Sequence, residues 1–255
     1  MDYDLVIGVN PILEKLKTSP EEISAILLAR GSLRPVLRSI ESEAQKLRIK
    51  LKFVEAKELD HLAHGQSHQG VLARVRAYSY APFSELERIV ASETRSQRIL
   101  ILDGITDPRN FGAILRTAEA VAVVHIIIPK DRSVGITPVV FKASAGAVNH
   151  LRVYRVTNLW RAISSLKSEG FWIVGLDANA AEDYDSKQYP KKLGVVLGSE
   201  GRGIRPLISK ECDYLVRIPM KGKISSLNVS VAAAILLYEV SRQHDRIDNG
   251  KPNGY

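Results

Sequence analysis

A single cysteine, Cys212, stands among 255 residues, so an intramolecular disulfide is excluded and a thiolate zinc site has no ligand set. As a nucleophile it competes with the commoner role of a lone cysteine, a small buried filler, and the filler is the preferred reading. No apolar run approaches the roughly 18 residues of a membrane-crossing helix. Residues 1–20 interleave Asp2, Asp4, Glu14, Lys15 and Lys17 with the apolar positions, which leaves no signal-peptide core. The expected setting is the cytoplasm or an equally reducing compartment, without membrane or metal. Internal repeats and low-complexity segments are also lacking.

Charge, by contrast, is unbalanced: Lys and Arg total 36 against 28 Asp and Glu, a formal net charge of +8. That excess suits a polyanion such as RNA or DNA, and equally describes a merely basic enzyme. The basic residues are scattered, so any positive patch must be assembled by the fold. An apolar fraction of 45% is ordinary for a globular chain of one large or two modest domains.

Patterning divides the chain. Residues 3–7 read as a strand and 11–17 as a helix, with Asn10 in the N-cap place and Pro11 at the first helical position. Residues 23–29 alternate as a strand, 32–47 have helical spacing, and 50–54 and 70–77 read as further strands. Residues 1–77 are thus expected to form a small α/β domain, and 78–97 a linker with a short helix near 83–91. The second domain, residues 98–243, opens with a continuous apolar strand at 98–103 and a helix from about Asn110. Buried strands are expected at 124–129, 171–177, 193–198 and 214–218, with helical segments at 137–147, 159–168, 203–209 and 227–243. Strand and helix alternate, which predicts an α/β architecture with a parallel sheet covered on both faces. Residues 244–255, rich in Asp, Asn, Gly and Pro, read as a flexible tail.

Three segments carry chemistry. The first, Asp103-Gly-Ile-Thr-Asp-Pro-Arg-Asn-Phe-Gly-Ala-Ile-Leu-Arg-Thr-Ala118, turns at the carboxyl end of a buried strand, the edge where open α/β sheets bind ligands. Asn110 there is either a helix cap or a polar group at the mouth of a site, and Arg116 either a solvated helix residue or a partner of that mouth. The second, Val195-Val-Leu-Gly-Ser-Glu-Gly-Arg-Gly-Ile204, follows an apolar strand with a loop whose glycines allow close backbone approach and whose Glu200 supplies a carboxylate. A plain tight turn explains it as well. Gly198, Gly201 and Gly203 run G-x-x-G-x-G, which is neither the dinucleotide fingerprint nor a Walker loop, so an unrelated nucleotide-binding oxidoreductase is disfavoured. In the third, Ile218-Pro-Met-Lys-Gly-Lys-Ile-Ser-Ser-Leu-Asn-Val-Ser-Val-Ala232, a loop leads into an unusually apolar helix with Ser226, Asn228 and Ser230 at its start. Caps account for one of these; three suggest a buried polar site or a subunit contact.

Taken in order, NFGAILRTAEA, VLGSEGRGI and IPMKGKISSLNVSVAAAI resemble the three signature motifs of the SpoU (TrmH-like) family of RNA 2′-O-ribose methyltransferases. ITPVVFKASAGAVNHL, with Ser144 and Gly146, resembles the segment between the first two motifs. Val121-Ala122 departs from the pattern, since many relatives close the first helix with a glycine. VIGVNPILEKLK and HQGVLARVRAY, the latter through His68-Gln69-Gly70, resemble the substrate-binding domain of the subfamily that modifies a guanosine of large-subunit ribosomal RNA.

The resemblance implies a carboxyl-terminal parallel-sheet domain threaded into a deep trefoil knot, preceded by a small α/β RNA-binding domain, and a homodimer. It implies S-adenosylmethionine as methyl donor, held by Leu197, Gly198, Glu200, Gly201, Ile218, Met220, Ser226 and Leu227. Asn110, Arg116, Glu200, Ser226 and Asn228 match positions associated with catalysis or assembly of the active site. Arg116 normally stays protonated and is a weak base, so a clamp on the adjacent phosphate is the preferred role, with the family's general-base proposal left open. Ribosomal RNA is the expected substrate; transfer RNA, or a ribosome-associated RNA-binding protein without catalysis, are the alternatives.

Overall fold

The computed structural model describes residues 3–31, 34–63, 65–76, 78–93, 96–224 and 226–248. Two compact units, Met1–Ser79 and Tyr80–Tyr255, make up the chain.

In the first unit, β1 (Tyr3–Ile7), β2 (Ile23–Ala29), β3 (Leu51–Val54) and β4 (Val71–Arg76) form one sheet in the order β1-β4-β2-β3. β4 runs antiparallel to β1 and β2, whereas β2 and β3 are parallel. Alternation along β2 sends Ile26 and Leu28 to the face covered by α1 (Val9–Thr18) and α2 (Pro35–Lys46). Leu27 points the other way, towards Leu59 and Ala63 of α3 (Ala56–Ala63). The N-cap of α1 is Gly8 rather than Asn10: its φ of 93° and ψ of 164° belong to a region that only glycine occupies without strain. α2 begins at Pro35, and Ser32, where the spacing placed its start, lies outside the described residues. α3, with eight residues, is too short to show a clear period and escapes the sequence reading.

The second unit is built on β5 (Gln97–Asp103), β6 (His125–Pro129), β7 (Arg152–Val156), β8 (Trp172–Leu176), β9 (Glu182–Asp183), β10 (Lys192–Gly198) and β11 (Tyr214–Arg217). Their order is β7-β6-β5-β10-β8-β11-β9, and every pairing is parallel. Burial on both faces explains the unbroken apolar runs Ile99–Leu102 in β5 and Val195–Leu197 in β10. Edge strand β7 exposes Arg152 and Arg155, which break its apolar run and hide it from the pattern. Around the sheet lie α4 (Phe83–Ser92), α5 (Pro108–Ala120), α6 (Pro138–Ala143), α7 (Leu159–Ser168), α8 (Pro206–Ser209) and α9 (Val229–Asp248). The segment read as a linker is folded: Leu86 and Val90 of α4 join the core formed with Ile99, Tyr154 and Leu166. Residues 244–248, read as part of a flexible tail, belong to α9, which buries His244; residues 249–255 lie outside the described residues.

From β5 the chain builds outward through β6 and β7, crosses to β8, and returns with β10 between β5 and β8. Loops diverge at such a reversal and leave a crevice at the carboxyl ends of the strands.

Candidate active site

Loops leaving the carboxyl ends of β8, β10 and β11 enclose a cavity of about 1020 Å³. Residues 176–179 come from the end of β8 and its loop, 197–203 from the end of β10 and its loop, and 217–220 with 226–229 and Ala232 from the end of β11 through the start of α9.

The β10 loop turns tightly for reasons visible in its sequence. A Cβ on Gly198 would lie 2.0 Å from the Gly203 carbonyl carbon and 2.2 Å from the Ile204 nitrogen, so no side chain fits there. The amides of Ser199 and Gly203 donate to each other's carbonyls at 3.0 and 2.9 Å, closing the loop with Glu200 exposed near its tip. Its far end is tied to β5 by the fully buried carboxylate of Asp103, which accepts from the backbone amide of Arg205 at 2.8 Å and from its Nε at 2.7 Å. Charge-assisted bonds of this kind satisfy an otherwise costly buried carboxylate.

A polar junction joins the three motifs. Asn228 Nδ2 donates to Asn110 Oδ1 at 3.0 Å and to Glu200 Oε1 at 2.6 Å, while Asn228 Oδ1 accepts from the Ser230 amide at 2.9 Å and the Ser230 hydroxyl at 2.6 Å. Asn228 therefore caps α9 with its oxygen and bridges the site with its nitrogen. The N-cap of α5 is Asp107, whose Oδ1 accepts from the amides of Arg109 at 2.6 Å and Asn110 at 3.2 Å. The helix consequently starts at Pro108, and Asn110 is not a cap; its side chain is available to Asn228. Packing of α5 against α9 brings the two together.

Leu197, Gly198, Glu200, Gly201, Ile218, Met220, Ser226, Leu227 and Asn228 line the cavity, and Asn110 joins them through Asn228. Arg116 does not line it. Six residues along an α-helix turn the side chain by roughly 600°, so Arg116 leaves α5 about 120° away from Asn110. It is exposed, without a hydrogen bond or ion pair among the described residues. The sequence reading missed the β8 loop, where Asp177 Oδ1 accepts from the Asn179 amide at 2.8 Å, and Arg217, whose Nε donates to Asp183 at 2.9 Å. One signal was present: Asp177 follows an apolar strand as Asp103 ends one, with the acid at the binding edge.

Chemically, the cavity has room for a ligand of nucleoside size or larger, with apolar walls from Leu176, Leu197, Ile218, Met220 and Leu227 and a carboxylate at the rim. Burial pushes the Cys212 thiol up to about 12, which keeps it protonated and unsuited to nucleophilic attack. No group of three or more His, Cys, Asp or Glu that could hold a metal occurs among the described residues, and no helix there is long and apolar enough to cross a membrane.

Comparison with known proteins matches residues 97–238 to the SpoU rRNA methylase family and residues 5–81 to the RNA 2′-O ribose methyltransferase substrate-binding family. A Bacillus subtilis (strain 168) protein assigned to the TrmH family of tRNA/rRNA methyltransferases is 42% identical over 245 residues, covering 96% of this chain and 98% of its own. A Staphylococcus epidermidis protein of the same assignment is 42% identical over 248 residues, covering 97% and 99%. Among solved structures, the SpoU methyltransferase AviRb from Streptomyces viridochromogenes, in complex with the cofactor AdoMet, superimposes with a TM-score of 0.63 at 25% identity, covering 96% of this chain and 91% of its own.

Proposed function

The chain belongs to the SpoU rRNA methylase family, and on that premise we propose that it transfers the methyl group of S-adenosylmethionine to the ribose 2′-hydroxyl of a guanosine in large-subunit ribosomal RNA. The observation that carries this reading is the junction of Asn110, Glu200 and Asn228 beside a cavity of about 1020 Å³. The cavity suits the donor in size and lining: apolar side chains of Leu176, Leu197, Ile218, Met220 and Leu227 offer walls for an adenine. When bound, S-adenosylmethionine supplies a methyl group on a positively charged sulfur that leaves with the bonding electrons.

The residues that would hold it are Leu197, Gly198, Gly201, Ile218, Met220, Ser226 and Leu227, through loop backbone and apolar contact. Glu200, fixed by Asn228, places negative charge at the rim, and Asn110 shares that same amide. Arg116 belongs to the acceptor side. Its guanidinium, outside the cavity lining and without a partner among the described residues, suits a phosphate beside the target ribose and the negative charge that develops as the hydroxyl proton departs.

Ribosomal RNA is favoured over transfer RNA by the first unit, which matches a substrate-binding domain and resembles the ribosomal-RNA subfamily at His68-Gln69-Gly70. A homodimer is part of the same reading: Val231 and Tyr238, seven residues apart on α9, are 48% and 57% exposed in the single chain. So is the trefoil threading that the family resemblance implies. Mapping 2′-O-methyl groups in RNA from cells lacking the chain tests the substrate. Loss of one methylguanosine from large-subunit ribosomal RNA is expected, and a loss confined to transfer RNA overturns the assignment.

A further inference from the structure

The carboxyl edge of the parallel sheet carries unpaired cations on three loops and at the start of α5, and only one of those residues lines the cavity. Arg109 follows β5, Lys130 and Arg132 follow β6, Arg202 follows β10, and Lys221 and Lys223 follow β11. All six are exposed, and their side chains have no hydrogen bond or ion pair among the described residues. Acidic groups are fewer on the same segments: Asp107, Asp131 and Glu200 stand against the six cations, and Asp107 and Glu200 are turned to the α5 amides and to Asn228. The excess of positive charge is therefore a property of this edge, assembled from residues that are scattered in sequence.

The β6 loop is held firmly where it presents Lys130 and Arg132. Lys130 donates its amide to the Val156 carbonyl at 2.7 Å, and its own carbonyl accepts from Arg155 Nη2 at 2.9 Å. Farther on, the Val134 amide donates to the Ile105 carbonyl at 2.9 Å and the Ile136 amide to the Tyr80 hydroxyl at 2.8 Å. The loops also converge: a Cβ on Gly104 would lie 3.7 Å from the Arg132 carbonyl oxygen and 3.8 Å from Ser199 Cβ, which places the β6 loop next to the cavity's β10 loop.

We propose that these loops form a phosphate track, along which the unpaired RNA strand that carries the target ribose crosses the sheet edge. Phosphates on one side of the target meet Lys130 and Arg132, and phosphates on the other side meet Lys221 and Lys223. With neighbouring strands about 4.8 Å apart, the four spacings from β6 to β11 span about 19 Å, enough for a few nucleotides centred on the cavity. This rests on the methyltransferase reading and assigns to the second unit its own grip on RNA, independent of the first.

The test measures binding of the full chain to a fluorescein-labelled, mixed-sequence single-stranded RNA of 12 nucleotides across a series of KCl concentrations. Each lost phosphate contact should lower the slope of log affinity against log salt by roughly 0.7, so Lys130→Ala/Arg132→Ala should lower it by about 1.4. Arg152→Ala/Lys191→Ala, an equal charge loss at the amino-terminal edge of the sheet, should leave it unchanged, and Lys130→Arg/Arg132→Lys should retain the wild-type slope. Calorimetry with S-adenosylmethionine runs in parallel. An unchanged slope in Lys130→Ala/Arg132→Ala, or an equal fall in the control pair, overturns the track while donor binding leaves the methyltransferase reading intact. A wild-type chain that binds RNA with the expected slopes but takes no donor overturns that reading instead.

Discussion

The amide of Asn228 donates to Asn110 and Glu200 at once, and its carbonyl is taken by Ser230, so its hydrogen-bonding capacity is filled from three directions. Asn228→Asp keeps the shape, removes both donors and sets a second carboxylate beside Glu200. A hydrogen bond to a charged group contributes about 1.5–3 kcal/mol, so single-turnover methyl transfer at saturating donor and RNA should slow by about ten- to a hundredfold. A wild-type rate would dissociate this junction from the chemistry. Arg116 calls for a different comparison, because its proposed role depends on geometry as well as charge. Both Arg116→Ala and Arg116→Lys should lose about 3–4 kcal/mol of transition-state stabilisation, since an ammonium cannot reproduce the planar pair of donors. If the lysine variant alone retained activity, simple charge would be enough. Near-normal turnover in both would return Arg116 to the role of a solvated helix residue.

At the scale of elements, α5 shows how a sequence departure is accommodated. The residue after its C-cap Val121 is Ala122, which adopts a φ of 56°, the left-handed conformation that usually ends a helix with glycine. For an alanine this costs about 1–2 kcal/mol, part of which glycine would give back through its greater freedom in the unfolded chain. Ala122→Gly should therefore stabilise the second unit by about 0.5–1 kcal/mol, read as a rise of roughly 1–4 °C in its calorimetric midpoint. A fall would mean that the turn is not strained. Close packing imposes the opposite demand at Gly112 of the same helix: a Cβ there would lie 2.4 Å from the Cβ of Ala143, so α5 and α6 approach too closely for any side chain.

For the whole molecule, the division of labour is directly testable. Deletion of residues 1–79 should leave S-adenosylmethionine affinity within about twofold, because the cavity lining lies wholly within residues 176–232. Methylation of ribosomal RNA should fall by at least an order of magnitude. Equal activity of both forms on the natural RNA would remove the case for a substrate domain. Assembly is tested by light scattering, which should give twice the 28.2 kDa of the chain. Val231→Asp/Tyr238→Asp should shift the particle towards monomer by placing charge on the apolar face of α9; a wild-type particle of one chain mass would overturn the dimer.

Strong local patterns made much of this architecture legible in the sequence. Continuous apolar runs marked the buried strands β5, β6, β8 and β10, and the loops after β10 and β11 announced themselves through glycine, serine and an acid at a strand end. Where a signal was weak or shared, the reading failed: β7 is an edge strand interrupted by arginines, α3 is too short to show its period, and Asn10 lost the cap of α1 to Gly8. Only tertiary structure could decide that Asn228 reaches both Asn110 and Glu200, 118 and 28 residues away, because those approaches are made by packing of α5 on α9 and by the strand order. The same holds for the cations of the carboxyl edge. Their side chains are scattered along the sequence, and it is the parallel sheet, which turns every strand the same way, that gathers their loops on one side.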